Sequence, residues 1–250
     1  MKVFFETNKG LMRENNEDNF IVEEFERYSL FAVADGMGGH KAGEVASTIA
    51  IDVIREFFIN NQGKDTFKPP TFIIDSIELS NYKIREEAKT NPDYFGMGTT
   101  VTMAVLDKSL DTIYIGNVGD SRAYLVRDGE IKQITTDHTY VNELLKDGEI
   151  TLEEAKNHPK KNVITRALGG EEYVHADIFE IEFYENDIFL LCTDGLTTHV
   201  SDDKILEIIQ KYGTRESVGK LIKSANDSGG TDNITIIIVD NIIRGETYDR

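Results

Sequence analysis

Four aspartates stand beside apolar runs that have the length and composition of buried strands. Asp35 follows the run LFAVA, Asp120 follows IGNVG, Asp194 follows FLLCT, and Asp232 comes shortly before ITIIIV. A carboxylate at the end of a buried strand costs free energy unless a cation or a set of hydrogen bonds receives it. Any one of these residues could be a turn residue, but four in the same setting predict a shared carboxylate cluster.

Two further segments could add ligands to this cluster. Glu17 and Asp18 lie in the polar run MRENNEDNF, which leads directly into a strand pattern. The run is either a solvated loop or a segment whose carboxylates face inward, and the residues alone leave both interpretations open. After Asp35 the chain reads GMGG, and the bare backbone at Gly36 could let its carbonyl oxygen join a coordination shell.

The donor atoms of this set are all oxygens. Such hard ligands favour Mg²⁺ or Mn²⁺ over zinc. Several carboxylates allow two ions to share one of them, and an ion pair of this kind acidifies a water and stabilises displacement at phosphorus. Arg13 lies five residues before Asp18 and is the candidate phosphate clamp, because a guanidinium group matches phosphate oxygens bidentately.

Other interpretations compete for the same residues. Asp-Gly is also a common turn dipeptide, and the pairs at 128–129 and 147–148 are predicted to be turns only. A thiol phosphatase needs an arginine six residues after its cysteine, but Cys192 is followed there by Thr198, so it is predicted to be a buried strand residue. The glycine loop lacks the GxxxxGK[ST] pattern of a nucleotide loop. His40 could serve in catalysis or cap a helix.

The elements that must position these residues come in blocks of strands and helices. Helical spacing of apolar residues predicts helices at 40–60, 72–89, 202–212 and 215–226. Strand patterns occur at 2–6, 20–22, 30–34, 99–106, 112–118, 121–126, 130–135, 176–183, 187–192 and 234–239. The short connections imply antiparallel pairing. The predicted fold class is therefore α+β, with a central antiparallel β-sandwich flanked by pairs of α-helices in four αββα layers.

One segment departs from this scheme. Residues 139–170 combine short helical patterns with the turn-rich and basic stretch NHPKKNVITRALGG. We predict a small helical flap that is mobile and shapes access to the site.

Length, charge and cysteine content limit the function class. The 250 residues suit a single domain spanning 1–250. A formal net charge of −18 repels phosphates and anionic membranes, so we expect neither nucleic acid nor membrane as a partner. The one cysteine, Cys192, excludes an internal disulfide. With no apolar run of signal-peptide or membrane-span length, the predicted location is the cytoplasm.

Six short motifs connect these observations to a known family. They are Arg13-x-x-Asn16-Glu17-Asp18, Asp35-Gly36-Met37-Gly38-Gly39, Gly98-Thr99-Thr100, Gly119-Asp120-Ser121-Arg122, Thr193-Asp194-Gly195 and Thr231-Asp232-Asn233. In this order, and covering essentially the whole chain, they resemble the metal-dependent Ser/Thr protein phosphatases of the protein phosphatase 2C (PPM) family, in its bacterial form. The resemblance implies the β-sandwich with helix pairs described above.

The same resemblance implies a role for each candidate residue. The residues that would hold two Mn²⁺ or Mg²⁺ ions are Asp18, Asp35 as the bridge, Gly36 through its carbonyl, Asp194 and Asp232. Glu17 would act through a coordinated water, and Asp120 would share a third, weaker ion with Asp194. Arg13 would bind the phosphate. The implied reaction is one-step hydrolysis of phosphoserine or phosphothreonine by a water that bridges the two ions, without a phosphoenzyme.

One position departs from the pattern of the animal members. Those carry a histidine, proposed as the general acid, directly after the Asp-Gly pair, whereas this chain has Met37. We therefore expect either His40 or a water on the third ion to protonate the leaving alkoxide.

The leading functional hypothesis is a Mn²⁺- or Mg²⁺-dependent phosphoprotein phosphatase. It would act as a monomer on phosphorylated proteins and oppose a bacterial Ser/Thr kinase. The alternatives are an inactive phosphoprotein-binding relative and a small-molecule phosphohydrolase. A Ca²⁺-binding structural protein is more remote, because the sequence has no EF-hand loop spacing.

Overall fold

The structure is a computed structural model that describes residues 1–38 and 42–240. The strands in this part of the chain are β1 (Lys2–Asn8), β2 (Asp18–Glu24), β3 (Tyr28–Met37), β4 (Gly98–Thr99), β5 (Val101–Asp107), β6 (Thr112–Val118), β7 (Arg122–Arg127), β8 (Glu130–Gln133), β9 (Asp177–Glu182), β10 (Ile188–Cys192) and β11 (Ile234–Asp240). The helices are α1 (Ala42–Asn61), α2 (Pro69–Thr90), α3 (Tyr140–Lys146), α4 (Leu152–Lys156), α5 (Asp194–Thr197) and α6 (Asp202–Asp227).

The strands form two antiparallel sheets. One has the order β1-β11-β10-β7-β8 and the other β2-β3-β5-β6-β9, with the short β4 paired to the end of β3. Alternate residues of each strand face the space between the sheets, where Phe31, Ile115, Phe189 and Ile237 belong to one apolar cluster. This inter-sheet layer is the middle of the molecule.

Helices cover the outer face of each sheet. Helices α1 and α2 pack on the β2–β3–β5 side, where Ile54, Phe58 and Ile77 are fully buried. Helix α6 packs on the β10–β11 side, and a non-helical Gly213 divides it into two helical halves. The predicted α+β architecture of four αββα layers is therefore confirmed. No described helix has the length and apolar character that crossing a membrane requires.

Three details differ from the sequence-based prediction. Strand β3 continues through Asp35 and Gly36 to Met37, whereas the predicted strand ended at Ala34. The chain after β10 continues into the four-residue helix α5, which begins at Asp194 and which the Asp-Gly pattern did not indicate. The predicted strand at 99–106 is two strands, β4 and β5, and Thr100 lies between them. The two short flap helices, α3 and α4, lie where they were predicted, and the break at 147–148 separates them.

We expect Phe189→Ala to destabilise the protein by about 3–5 kcal/mol, because Phe189 is fully buried between the two sheets and its removal leaves a cavity. Phe95→Ala is the matched control, since Phe95 is 87% exposed, and should cost less than about 1 kcal/mol. Urea unfolding followed by circular dichroism measures both values. Equal losses in the two variants would show that the inter-sheet layer is not the core.

Candidate active site

The pleat of the β2–β3 hairpin turns two aspartates toward the inter-sheet layer. Phe31 and Val33 of β3 face that layer. Because side chains alternate along a strand, Asp35, two residues after Val33, lies on the same face. On β2, Phe20 faces the layer, and Asp18 lies two residues before it. Asp18 and Asp35 are direct cross-strand partners. Both carboxylates therefore stand at one end of the sandwich, between the sheets.

The opposite sheet binds Asp18 through two threonines. Thr193 and Thr235 lie at the facing ends of β10 and β11, and their hydroxyls donate to Asp18 Oδ2 at 2.8 and 2.7 Å. Asp18 Oδ1 is buried and has no hydrogen-bond partner. Burial raises the pKa of Asp18 to about 7, although the two hydroxyls lower it and Asp194 raises it further. One half of this carboxylate is thus satisfied and the other half is left for a ligand.

The backbone of Asp35 is held rigidly by Thr99 at the end of β4 and by Thr100 directly after it. The Asp35 N–H donates to Thr100 Oγ1 at 3.0 Å, and the Asp35 carbonyl accepts from the Thr100 N–H and the Thr99 hydroxyl, both at 2.9 Å. Burial raises the pKa of Asp35 well above its ordinary value, and the charges of Asp18 and Asp194 raise it further. The backbone of Asp35 is therefore fixed in position, and its carboxyl group lies near like charges.

Asp194 and Asp232 flank the ends of β10 and β11, which are antiparallel neighbours. Burial raises the pKa of Asp194, and Asp232 raises it further, while a hydrogen bond with Asp35 lowers it. Asp194 therefore lies near Asp35, on the side of the cluster that the second sheet supplies. Asp194 Oδ1 is also buried without a partner.

Asp120 follows β6 and extends the cluster. Its Oδ1 is buried without a hydrogen-bond partner. Burial raises the pKa of Asp120 to about 7, with a further contribution from Asp194. The charge of Asp194 therefore acts on Asp120. That the two carboxylates share an ion stays a prediction.

Gly36 and Glu17 meet at the start of the hairpin. The Gly36 N–H donates to the Glu17 carbonyl at 3.2 Å, and Ser47 Oγ donates to the same carbonyl at 2.6 Å. A Cβ at Gly36 would collide with the backbone of Gly43, so only glycine fits there. Burial raises the pKa of the Glu17 carboxyl, and Arg13 lowers it while Asp232 raises it. Glu17 thus borders the cluster.

Arg13 lies at the mouth of the site. Its guanidinium donates to Asp232 Oδ2 at 2.8 Å and to the Thr231 carbonyl at 3.3 Å, and half of the side chain is exposed. The group is therefore tethered beside the carboxylates while it still faces solvent. His40, the other predicted catalytic residue, lies outside the described residues.

The donor set fits a hard divalent cation. All side-chain donors are carboxylate oxygens, and three of these oxygens, on Asp18, Asp120 and Asp194, are buried without partners. Buried polar atoms normally have partners, so these atoms indicate a missing ligand. Among the described residues, however, no three Asp, Glu, His or Cys side chains already converge as a group that could hold a metal ion. Coordination therefore requires the carboxylates to turn toward common points.

Several supporting residues have roles that the sequence did not reveal. Thr193 lies within a motif, but its bond to Asp18, like that of Thr235, depends on how the sheets face each other. Asn233 is the other case. Its Oδ1 accepts the Glu17 N–H at 2.7 Å, and its Nδ2 donates to the carbonyls of Lys9 and Asn15, both at 2.9 Å. An asparagine directly after the Asp232 ligand candidate was the available signal.

The chain matches the family model described as protein phosphatase 2C over residues 4–234. It is 40% identical over 243 residues to the serine/threonine phosphatase stp of Listeria welshimeri, and the match covers 96% of each chain.

Solved structures agree with this match. The serine/threonine phosphatase of S. agalactiae superposes with a TM-score of 0.87 at 36% identity and covers 96% of this chain and 98% of its own. The catalytic domain of the phosphatase PstP in complex with two manganese ions gives 0.83 at 38% identity, covering 96% and 97%.

The metal-free protein should lose stability as the pH rises from about 4 to about 7. Burial raises the pKa of Asp18 and of Asp120 to about 7, whereas the unfolded carboxyls titrate near about 4. The folded chain therefore binds more protons over that interval, and the free energy of unfolding falls. In the presence of a chelator, we expect the Tm to be several degrees higher at about pH 5.5 than at about pH 8.

The control for this measurement is Asp18→Asn, which removes one titrating group and should flatten the decline. Saturating Mn²⁺ should raise the Tm most at the higher pH, where the carboxylates are ionised. A metal-free Tm that is constant or rises between these pH values would contradict the raised pKa values.

Proposed function

The chain belongs to the protein phosphatase 2C family and is a serine/threonine protein phosphatase of the bacterial type, and we propose that its buried carboxylates hold the Mn²⁺ or Mg²⁺ ions of this activity. The observation that carries the assignment is the set of unpartnered buried oxygens on Asp18, Asp120 and Asp194. Burial raises the pKa of each of these carboxyls. This supports the assignment, because a bound cation would compensate each ionised form.

We assign the ligands by their place in the cluster. Two ions would be held by Asp18, Asp35, the Gly36 carbonyl, Asp194 and Asp232. Asp35 would be the shared ligand, because the charges of Asp18 on one sheet and of Asp194 beside the other both raise its pKa. Glu17 borders the site and would act through water, and Asp120 with Asp194 would hold a third ion. When bound, such ions acidify a water and offset the charge of the phosphoryl group.

The protein's own groups orient the substrate. Arg13 supplies the exposed guanidinium at the mouth, and its fork can bind two phosphoryl oxygens. The hydrogen bonds to Asp232 and Thr231 already restrict the Arg13 side chain in the free protein. Phosphate binding therefore costs Arg13 less conformational entropy. The phosphoserine or phosphothreonine of a protein would thus be held by Arg13 with its phosphorus facing the carboxylate cluster.

The proton for the leaving alkoxide needs a separate donor. Met37 follows the Asp-Gly pair and has no acidic proton. We propose His40 for this role, with a water at the third ion as the alternative. If His40→Ala leaves the dependence of rate on leaving-group pKa unchanged, His40 is not the acid.

The biological setting is part of the proposal. Substrates are phosphoproteins, and we infer that a bacterial Ser/Thr kinase produces them and that the enzyme works as a monomer. The single Cys192 is buried and free, which suits a reducing compartment such as the cytoplasm.

We expect Asp35→Asn to lower kcat/KM by at least about 100-fold with p-nitrophenyl phosphate and with a phosphothreonine peptide, because an amide cannot bridge two cations. Asp128→Asn is the matched control, since Asp128 lies in the hairpin between β7 and β8 with a positive φ that asparagine tolerates. The assays are run with and without Mn²⁺. Metal-independent turnover, or full activity of Asp35→Asn, would refute the assignment. Preference for sugar phosphates or nucleotides would instead indicate a small-molecule phosphohydrolase.

Arg13→Ala should raise the KM for phosphopeptide by about 10–100-fold, because a hydrogen bond to a charged group contributes about 1.5–3 kcal/mol. Arg13→Lys should recover part of the loss, since it keeps the charge without the fork. Arg55 is 40% exposed and pairs with Glu23 elsewhere, so Arg55→Ala serves as the control. An unchanged KM in Arg13→Ala would exclude the clamp.

A further inference from the structure

Two large apolar side chains lie exposed directly before the phosphate-binding candidate Arg13. Leu11 is 65% exposed and Met12 is 71% exposed, in the segment that joins β1 to β2. Single exposed apolar residues are common on protein surfaces. Here two of them are adjacent in the chain, and the next residue carries the guanidinium that would bind the phosphoryl group. This pair of side chains is called the Leu11–Met12 surface.

The backbone of this segment is fixed against the loop before Asp232. The N–H groups of Leu11 and Met12 both donate to the Gly230 carbonyl, at 2.8 and 3.2 Å. Gly10 has a φ of +77°, and a Cβ there would collide with the Asp232 carbonyl. The segment is therefore closely packed, and the exposure of its two apolar side chains does not come from a loosely held chain.

The loop that receives these hydrogen bonds is itself anchored. The Gly230 N–H donates to a carbonyl in the last turn of α6 at 3.1 Å, and His199 Nε2 lies 2.7 Å from the Thr231 hydroxyl oxygen. The Thr231 carbonyl accepts a hydrogen bond from Arg13. One loop therefore holds both the Leu11–Met12 surface and the guanidinium, so the fold sets their relative position.

The Leu11–Met12 surface lies within reach of a protein substrate bound at Arg13. Consecutive Cα atoms are about 3.8 Å apart, so the Cα atoms of Met12 and Leu11 lie within about 4 and about 8 Å of the Arg13 Cα. In a phosphoprotein, the first and second neighbours of the phosphorylated residue lie within the same distances of it. When the guanidinium holds the phosphoryl group, such a neighbour can therefore contact this surface.

The chemistry of the surface selects an apolar neighbour. Contact between apolar side chains removes apolar area of both partners from water, which is favourable. A charged side chain placed there would lose hydration without gaining a partner from Leu11 or Met12. An acidic one would also meet the negative charges of Glu17 and Asp232, which lie beside Arg13.

We propose that Leu11 and Met12 determine substrate specificity by binding an apolar side chain that lies within two positions of the phosphoserine or phosphothreonine. The occupant of the Leu11–Met12 surface is thus a segment of the phosphoprotein substrate. This inference rests on the proposed function, because it requires the phosphoryl group to be bound at Arg13.

The test uses pentapeptides with a central phosphothreonine and glycine at the other four positions. Each glycine is replaced in turn by leucine or by lysine, and kcat/KM is measured with saturating Mn²⁺. We expect leucine at one or more of these positions to raise kcat/KM about five- to tenfold over the all-glycine peptide, mainly through a lower KM. Lysine at the same position should raise it less than about twofold.

Two double variants test whether the gain from leucine arises at the Leu11–Met12 surface. Leu11→Ser with Met12→Ser should reduce the gain to less than about twofold, because serine removes the apolar area but keeps the N–H groups that bind Gly230. Leu11→Met with Met12→Leu keeps the apolar area and should retain the gain. Leu110→Ser is the matched control, since Leu110 is 59% exposed in the turn between β5 and β6, at the end of these strands away from Asp120; it should also retain the gain.

Three results would overturn this specificity. They are no gain from leucine at any position in the wild type, a larger gain from lysine, and a gain that survives the double serine variant. In each case, Mn²⁺-dependent hydrolysis of the all-glycine peptide by the wild type would leave the proposed function intact. Absence of that hydrolysis would refute the proposed function and, with it, the specificity assigned to Leu11 and Met12.

Discussion

The main constraint on this structure is that several carboxylates lie close together at one buried end of a β-sandwich. Like charges in a low-dielectric environment repel strongly. Burial, together with the neighbouring carboxylates, raises the pKa of Asp18, Asp35, Asp120 and Asp194. Two solutions exist, namely protons or divalent cations. Only cations leave the carboxylates ionised at neutral pH and supply the chemistry of the family. The metal-free fold therefore keeps carboxylates close together, and cation binding would reduce their repulsion.

The rest of the fold can be understood as the support for this cluster. The β2–β3 pair supplies Asp18 and Asp35 from one sheet, and the ends of β10 and β11 supply Asp194 and Asp232 from the other. Thr193 and Thr235 reach across to Asp18, so the packing of the two sheets sets the distance between the two halves. The site and the hydrophobic inter-sheet layer therefore depend on the same alignment.

Much of this arrangement could be predicted from the sequence, because it follows from local patterns. The apolar runs at 30–34 and 187–192 located β3 and β10, although β3 continues through Asp35 and Gly36 to Met37. Helical spacing separated 202–212 from 215–226, which Gly213 divides. The tertiary contacts could not be predicted. The sequence left open whether Asp18 lies in a solvated loop or faces the site, and its pairing with Asp35 in the β2–β3 hairpin resolves this question. The packing of Leu11 and Met12 against Gly230 likewise joins segments that are distant in sequence.

The most direct test of the central claim is the number of protons released when Mn²⁺ binds to the metal-free enzyme near neutral pH, obtained by calorimetry in buffers of different ionisation enthalpy. Carboxyls whose pKa burial has raised to about 7 are partly protonated there, so uptake of two or more ions should release protons. The release should diminish toward about pH 9, where the carboxyls are already ionised. Binding without proton release, or no binding of Mn²⁺, would contradict the account.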